Sequence, residues 1–229
     1  MVRRSTAFAP GLLALLVTAC GGPQQLTRTE RAFVAGAIHD PAREWAAARP
    51  QLPPVRERRR GPQLIRRPGA IIYGPDRVPE LRPFARHEWE RISRLQPVVL
   101  AASRAHDVPT DMINGIIWVE SKFVRRARSP VGACSLMQIM PRTGRELASQ
   151  LGRRYEPWDP DFNVHAGTFY FAWLVERYEG NLRLALAAYN IGPGTVDGWL
   201  RRGERLAERS ERYVDNVFTA ARAFRARGL

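Results

Sequence analysis

The residue best suited to chemistry in this 229-residue chain is Glu120. Met112, Ile113, Ile116 and Ile117 precede it and Phe123 follows, a spacing that predicts a buried helix. At about 100° per residue, Glu120 shares a face with Ile113, Ile116 and Ile117. An acid set into an apolar stripe is costly to ionise. Desolvation is expected to lift its pKa toward neutrality, where a carboxyl can give a proton to a leaving oxygen. A blander role fits the same letters: a helix-end carboxylate paired with Lys122, Arg125, Arg126 or Arg128, since ion-pair networks also perturb acids.

The surrounding elements read as helical. Trp89, Ile92, Leu95 and Val99 fall at helical spacing, with Pro97 expected as a kink or a helix restart. Asp107-Val108-Pro109 breaks the chain before the Glu120 helix, where Thr110 is the expected N-cap and Asp111 suits the first turn. Ser129-Pro130 opens a loop, the apolar run 136–140 stops at Pro141, and a helix is expected over 143–151. Trp158-Asp159-Pro160 reads as a turn. Asn163 is expected to cap a helix in which Val164, Gly167, Phe171, Leu174 and Tyr178 recur by threes and fours, with Gly180 as its stop. A short alanine-rich helix over 182–189 ends at Asn190 and Gly192-Pro193-Gly194. Val196, Trp199 and Leu200 suggest one more turn or two. Ser210 is the expected cap of a last helix that buries Tyr213, Val214, Val217, Phe218, Ala221 and Phe224. No convincing strand pair is present. The expected fold class is all-α, a helical domain over residues 87–229, near the commonest domain size.

Charge narrows the partners. The formal net charge is +14, from 36 basic and 22 acidic residues, and every basic residue except Lys122 is arginine. Such a surface suits polyanions: nucleic acid, anionic lipid or an acidic cell-wall polymer. No nucleic-acid motif accompanies the charge, and four scattered histidines make no metal cluster, so neither nucleic acid nor a metal is expected.

The N-terminus carries export features. Arg3 and Arg4 precede a short apolar run at 12–17, too short to span a membrane and fit for a signal peptide over residues 1–19. The run ends in Val17-Thr18-Ala19-Cys20, which resembles a bacterial lipoprotein lipobox. That resemblance implies cleavage before Cys20, lipid on its thiol and, with Gly21 following, an outer-membrane destination facing the periplasm. An ordinary secretory peptide is the alternative. Cleavage removes Arg3 and Arg4 and leaves a charge of +12; with Cys20 lipidated, Cys134 is the one thiol left and no intrachain disulfide can form. Residues 20–86 read as a tether, partly disordered. A short helix is expected at 31–48, a Pro/Arg/Gly-rich stretch at 50–83 cannot bury enough apolar surface to order, and Ile71-Ile72-Tyr73 is a brief apolar island.

Four ordered blocks resemble the SLT-type (family 1) lytic transglycosylases of the lysozyme-like superfamily. They are Glu120-Ser121-Lys122-Phe123 with Ser129-Pro130-Val131-Gly132-Ala133; Leu136-Met137-Gln138-Ile139-Met140-Pro141; Trp158-Asp159-Pro160 with Asn163 and Gly167; and Ala187-Ala188-Tyr189-Asn190-Ile191-Gly192-Pro193-Gly194, closed by Tyr213-Val214. The resemblance covers about residues 90–225. It implies a goose-type lysozyme fold and cleavage of the β-1,4 bond between N-acetylmuramic acid and N-acetylglucosamine in peptidoglycan, leaving a 1,6-anhydro end. It implies no cofactor and one catalytic carboxylate, Glu120. As substrate-binding residues it implies Ser129, Gln138, Met140, Tyr189, Asn190 and Tyr213. Each has a structural alternative: Ser129 as a bend in the Pro130 turn, Met137 and Met140 as core, Tyr189 and Asn190 as shapers of the glycine-rich turn, Tyr213 as a core tyrosine. Three places depart from the pattern. Val124-Arg125 stands where Asn-Pro is usual, Ser135 where a glycine is usual, and Arg209 where an acid is usual. If the backbone at 135 needs positive φ, serine would strain it by about 1–3 kcal/mol. A non-catalytic peptidoglycan-binding lipoprotein and a hydrolysing muramidase are the competing functions. The latter needs a second carboxylate, roughly 6.5–9.5 Å away for an inverting route, and the sequence offers no obvious candidate.

Overall fold

The computed structural model describes residues 84–229. Seven helices form among them: α1 (Arg86–His106), α2 (Thr110–Ser121), α3 (Pro141–Leu151), α4 (Pro160–Arg177), α5 (Leu182–Ile191), α6 (Pro193–Arg201) and α7 (Glu208–Arg225). The described residues contain no strand; two isolated antiparallel bridges, Arg128 to Cys134 and Cys134 to Ile139, stiffen the long loop between α2 and α3. The domain is therefore all-α, as the hydrophobic period predicts.

Two central helices carry the core. α2 buries Met112, Ile113, Ile116, Ile117 and Trp118, and α4 buries an almost unbroken run from Phe162 to Val175. α2 lies along α7 at close range because residue 115 is glycine. A Cβ there would stand 2.9 Å from the Val217 carbonyl oxygen and 3.0 Å from the Ala221 nitrogen, both backbone atoms that cannot swing aside. At the far end of this pair, Arg225 of α7 donates to Asp111 at 2.7 Å, anchoring a buried carboxylate in the first turn of α2. α1 meets α2 through a reciprocal amide pair: Gln96 and the fully buried Asn114 exchange two hydrogen bonds of 3.1 Å. α1 meets α4 through His106 and His165, whose ring nitrogens lie 3.1 Å apart. On α4, Gly167 receives the Met137 side chain of the α2–α3 loop.

Several local expectations change. Pro97 neither breaks nor restarts α1, which runs continuously through it. Asp159, not Asn163, caps α4, accepting from the Phe162 N–H at 2.9 Å; the Pro at the first helical position starts the helix four residues earlier than the Asn163 reading allows. Asn163 is buried and its amide serves the loop instead. Thr110 is the first helical residue of α2, with Pro109 at the cap, and α3 starts at Pro141 rather than at 143. Ser210 lies inside α7, whose cap position is Ala207 with no side-chain bond. Phe84, in the stretch expected as tether, packs on the domain, with its ring 5.1 Å from Phe224 and 4.7 Å from Trp118. The signal peptide, Cys20, the helix expected at 31–48, the Arg-rich stretch and the 71–73 island lie outside the described residues.

Candidate active site

Glu120 is the last residue but one of α2. Below it, Ile113, Ile116 and Ile117 are fully buried and fix the helix, while Glu120 itself is half-buried. The last turn of a helix concentrates unpaired carbonyls and partial negative charge, a poor place for an ionised carboxylate. Tyr213 of α7 donates its hydroxyl to Glu120 Oε1 at 2.6 Å. Oε2 has no partner among the described residues and is not sealed from solvent. Burial lifts the Glu120 carboxyl from 4.5 to about 7, against the opposing pull of the Tyr213 hydrogen bond and the Lys122 ammonium. The Lys122 ammonium lies 4.6 Å from the centre of the Trp118 ring.

Two phenols answer the acid. Burial raises Tyr213 and Tyr189 well above the ordinary phenol, and the negative charge of Glu120 adds to both shifts. Both hydroxyls therefore stay protonated donors at any physiological pH. Tyr189, near the end of α5, donates to the Met137 carbonyl at 2.9 Å and packs beside Tyr170 and Phe171. It thus ties the α5 end to the α2–α3 loop.

That loop is folded from within. Ser121 donates to the Leu136 carbonyl at 2.8 Å, directly beneath the acid's own turn. Asn163 accepts from the Met137 N–H at 2.9 Å and donates to the Cys134 carbonyl at 3.2 Å, pinning the loop to α4. Ser135 does adopt positive φ, at 67°, fully buried; its hydroxyl donates to the Arg125 carbonyl at 2.8 Å. The backbone strain expected of a serine there is present, and it is offset by a hydrogen bond that glycine could not make. Gln138, also at positive φ, donates its amide to the Ser135 and Ala127 carbonyls at 2.7 and 3.2 Å. Its amide oxygen is left without a described partner. Ser129 accepts from the Ala133 N–H at 2.9 Å and closes the Pro130 turn, as the structural alternative for it requires.

The structure thus brings Glu120, Tyr213 and Tyr189 together, with Gln138 and Ser129 on the loop that Tyr189 holds. Met140 is the half-buried residue preceding α3, whereas Met137 is core. Asn190 is exposed near the end of α5 and its side chain makes no hydrogen bond among the described residues. Sequence reasoning missed the work of Asn163 and Ser121. Both are polar residues inside apolar surroundings, and that burial was the available signal. Among the described residues no cluster of three or more His, Cys, Asp or Glu could hold a metal ion. The arrangement can present a neutral carboxylic acid, one oxygen held and the other open, to a polar ligand.

The model of the transglycosylase SLT domain matches residues 97–211, and the chain belongs to that family. Residues 1–229 are 33% identical over 99 residues to the soluble lytic murein transglycosylase of Escherichia coli K12, covering 41% of this chain and 15% of that protein. They are 33% identical over 129 residues to membrane-bound lytic murein transglycosylase C of Actinobacillus succinogenes, covering 51% of this chain and 36% of the relative. The chain spans only part of the length of these relatives. An inactive glutamate-to-glutamine mutant of the lytic transglycosylase Slt from Pseudomonas aeruginosa superposes with a TM-score of 0.51 at 31% identity, over 55% of this chain and 23% of that one.

Proposed function

We propose that this protein is a peptidoglycan lytic transglycosylase that cuts the β-1,4 bond between N-acetylmuramic acid and N-acetylglucosamine during cell-wall remodelling. One observation carries the reading: a single carboxyl, raised to about 7 by burial, with one oxygen gripped by Tyr213 and the other open. In that state Glu120 protonates the glycosidic oxygen as the bond to the anomeric carbon breaks through an oxocarbenium-like state. The resulting carboxylate then takes the proton from the C6 hydroxyl of the same muramic acid. That oxygen closes on the anomeric carbon, giving the 1,6-anhydro ring with no water consumed. An internal nucleophile has a high effective concentration, so no second carboxylate is needed to orient water. Gln138, through its open amide oxygen, with Ser129, Met140, Tyr189, Asn190 and Tyr213, lines the sugar site in this reading. Tyr213 also keeps the acid aimed.

The names of the relatives, soluble and membrane-bound lytic murein transglycosylases, support action in the cell envelope. The lipobox-like Val17-Thr18-Ala19-Cys20 supports anchoring through lipid on Cys20, with residues 20–86 as the tether from the outer membrane to the wall. The test is the mass of muropeptides released from purified peptidoglycan by the full-length chain. Anhydro products, lighter by one water than hydrolysed ones, support the reading. Reducing ends would make the protein a muramidase, and no release would make it a wall-binding module.

A further inference from the structure

Between Glu120 and Glu146 the chain carries six basic residues and no acidic one: Lys122, Arg125, Arg126, Arg128, Arg142 and Arg145. Three of them stand together in the α2–α3 loop. Arg125, Arg126 and Arg128 are all exposed, and among the described residues none forms an ion pair. Exposed arginines so near in sequence, with no carboxylate paired to them, favour an anionic ligand.

The backbone under them is held. Ser135 donates its hydroxyl to the Arg125 carbonyl and its N–H to the Ala127 carbonyl, both at 2.8 Å. Gln138 donates to the same Ala127 carbonyl, and Arg128 bridges to Cys134. The Arg125 side chain is partly committed, its Nε donating to the Trp158 carbonyl at 2.9 Å, while Arg126 and Arg128 project from this clamped segment. Two departures from the family pattern are thus one unit. Arg125 adds one cationic side chain to the loop, and Ser135 fastens the carbonyl of that same residue. The segment is bonded directly to Gln138 through the Ala127 carbonyl and lies in sequence between Glu120 and Ser129.

We infer that Arg126 and Arg128, on the loop clamped by Ser135 and Gln138, form a recognition surface for the carboxylates of the acidic peptide carried on the glycan strand. The inference rests on the peptidoglycan reading above. Guanidinium groups suit carboxylates because the planar fork offers two parallel N–H donors. A rigid backbone reduces the entropy lost on binding. The surface would make this protein prefer strands that still bear peptides over bare glycan.

Retention of the full-length chain on insoluble peptidoglycan tests this, using Glu120→Gln so that strands stay uncut. Intact walls are compared with walls stripped of peptides by an amidase. The Arg126→Gln/Arg128→Gln pair is expected to weaken retention on intact walls about three- to tenfold, as two exposed charge pairs allow. Raising the salt to about 0.5 M should do the same. Retention on stripped walls should not change, and the double Arg→Lys variant, which keeps the charge but loses the two-donor fork, should recover only part of the loss. Equal losses on both walls, or no loss on either, would overturn the inference. So would a loss confined to phosphatidylglycerol vesicles, which would assign the arginines to a lipid surface. If the chain with Glu120 intact released no muropeptide while peptide-dependent retention persisted, the activity would fall and this surface would stand.

Discussion

At the scale of single residues, Glu120 is under two opposed demands. Burial favours its neutral form, whereas the Tyr213 hydrogen bond and the Lys122 ammonium favour the anion. The outcome near neutrality suits a group that must first donate and then accept a proton. Tyr213 is the stronger handle on this balance, since a hydrogen bond to a carboxylate is worth about 1.5–3 kcal/mol. Tyr213→Phe removes a bond to the charged form, so the carboxyl is expected to titrate higher. The basic limb of the pH–rate profile for muropeptide release should move up with it, while the rate at the optimum falls because the acid is no longer aimed. A fall in rate with an unmoved limb would mean that Tyr213 only fills space.

At the scale of elements, the site depends on how the α2–α3 loop is locked against α4 and α5. Ser135 carries a measurable part of that lock. Ser135→Ala keeps the Cβ at positive φ and abandons the Arg125 carbonyl, whereas Ser135→Gly abandons the carbonyl but relieves the backbone. Alanine should therefore cost about 1 kcal/mol more than glycine in urea denaturation midpoints. Gly167→Ala is a harsher change. Its Cβ would meet Met137 Sδ at 2.5 Å and Met137 Cβ at 2.8 Å, pushing away the residue whose carbonyl Tyr189 holds. Overpacking of this kind costs about 1–3 kcal/mol, and activity should fall further than stability. The helices were legible in the sequence because their apolar residues keep a 3.6 period, and the Glu120 position was legible because an acid interrupts that period. The loop was not. Asn163 and Ser121 read as a helix cap and as part of a motif, because nothing local says that their side chains leave their own helices to bond Met137 and Leu136. The Ser135–Arg125 link is likewise a contact across ten residues, set by tertiary folding. Asp159 took the cap because proline at the next position fixes the helix start there.

At the scale of the whole molecule, the site is paid for in stability. The Glu120 carboxyl titrates near 7 folded and near 4.5 unfolded, so the native state holds its proton more tightly. Its contribution is fully present below about 4.5 and is lost as pH rises through 7. Burial depresses His165 in the opposite sense, so its contribution is present above the ordinary histidine range and is lost as pH falls through the lowered value. Glu120→Gln should therefore stabilise the protein at pH 8 by on the order of 2 kcal/mol, allowing for partial exposure, and by nothing at pH 4. Denaturant midpoints at the two pH values check this; a gain of equal size at both would point to packing rather than charge.

The most direct measurement is a site-resolved titration of the Glu120 carboxyl in the full-length chain, by infrared or carboxyl-carbon NMR difference against Glu120→Gln. The account predicts a midpoint near 7. A carboxyl that ionises at the ordinary value near 4.5 would contradict it, because a group already charged at neutral pH has no proton to give the glycosidic oxygen.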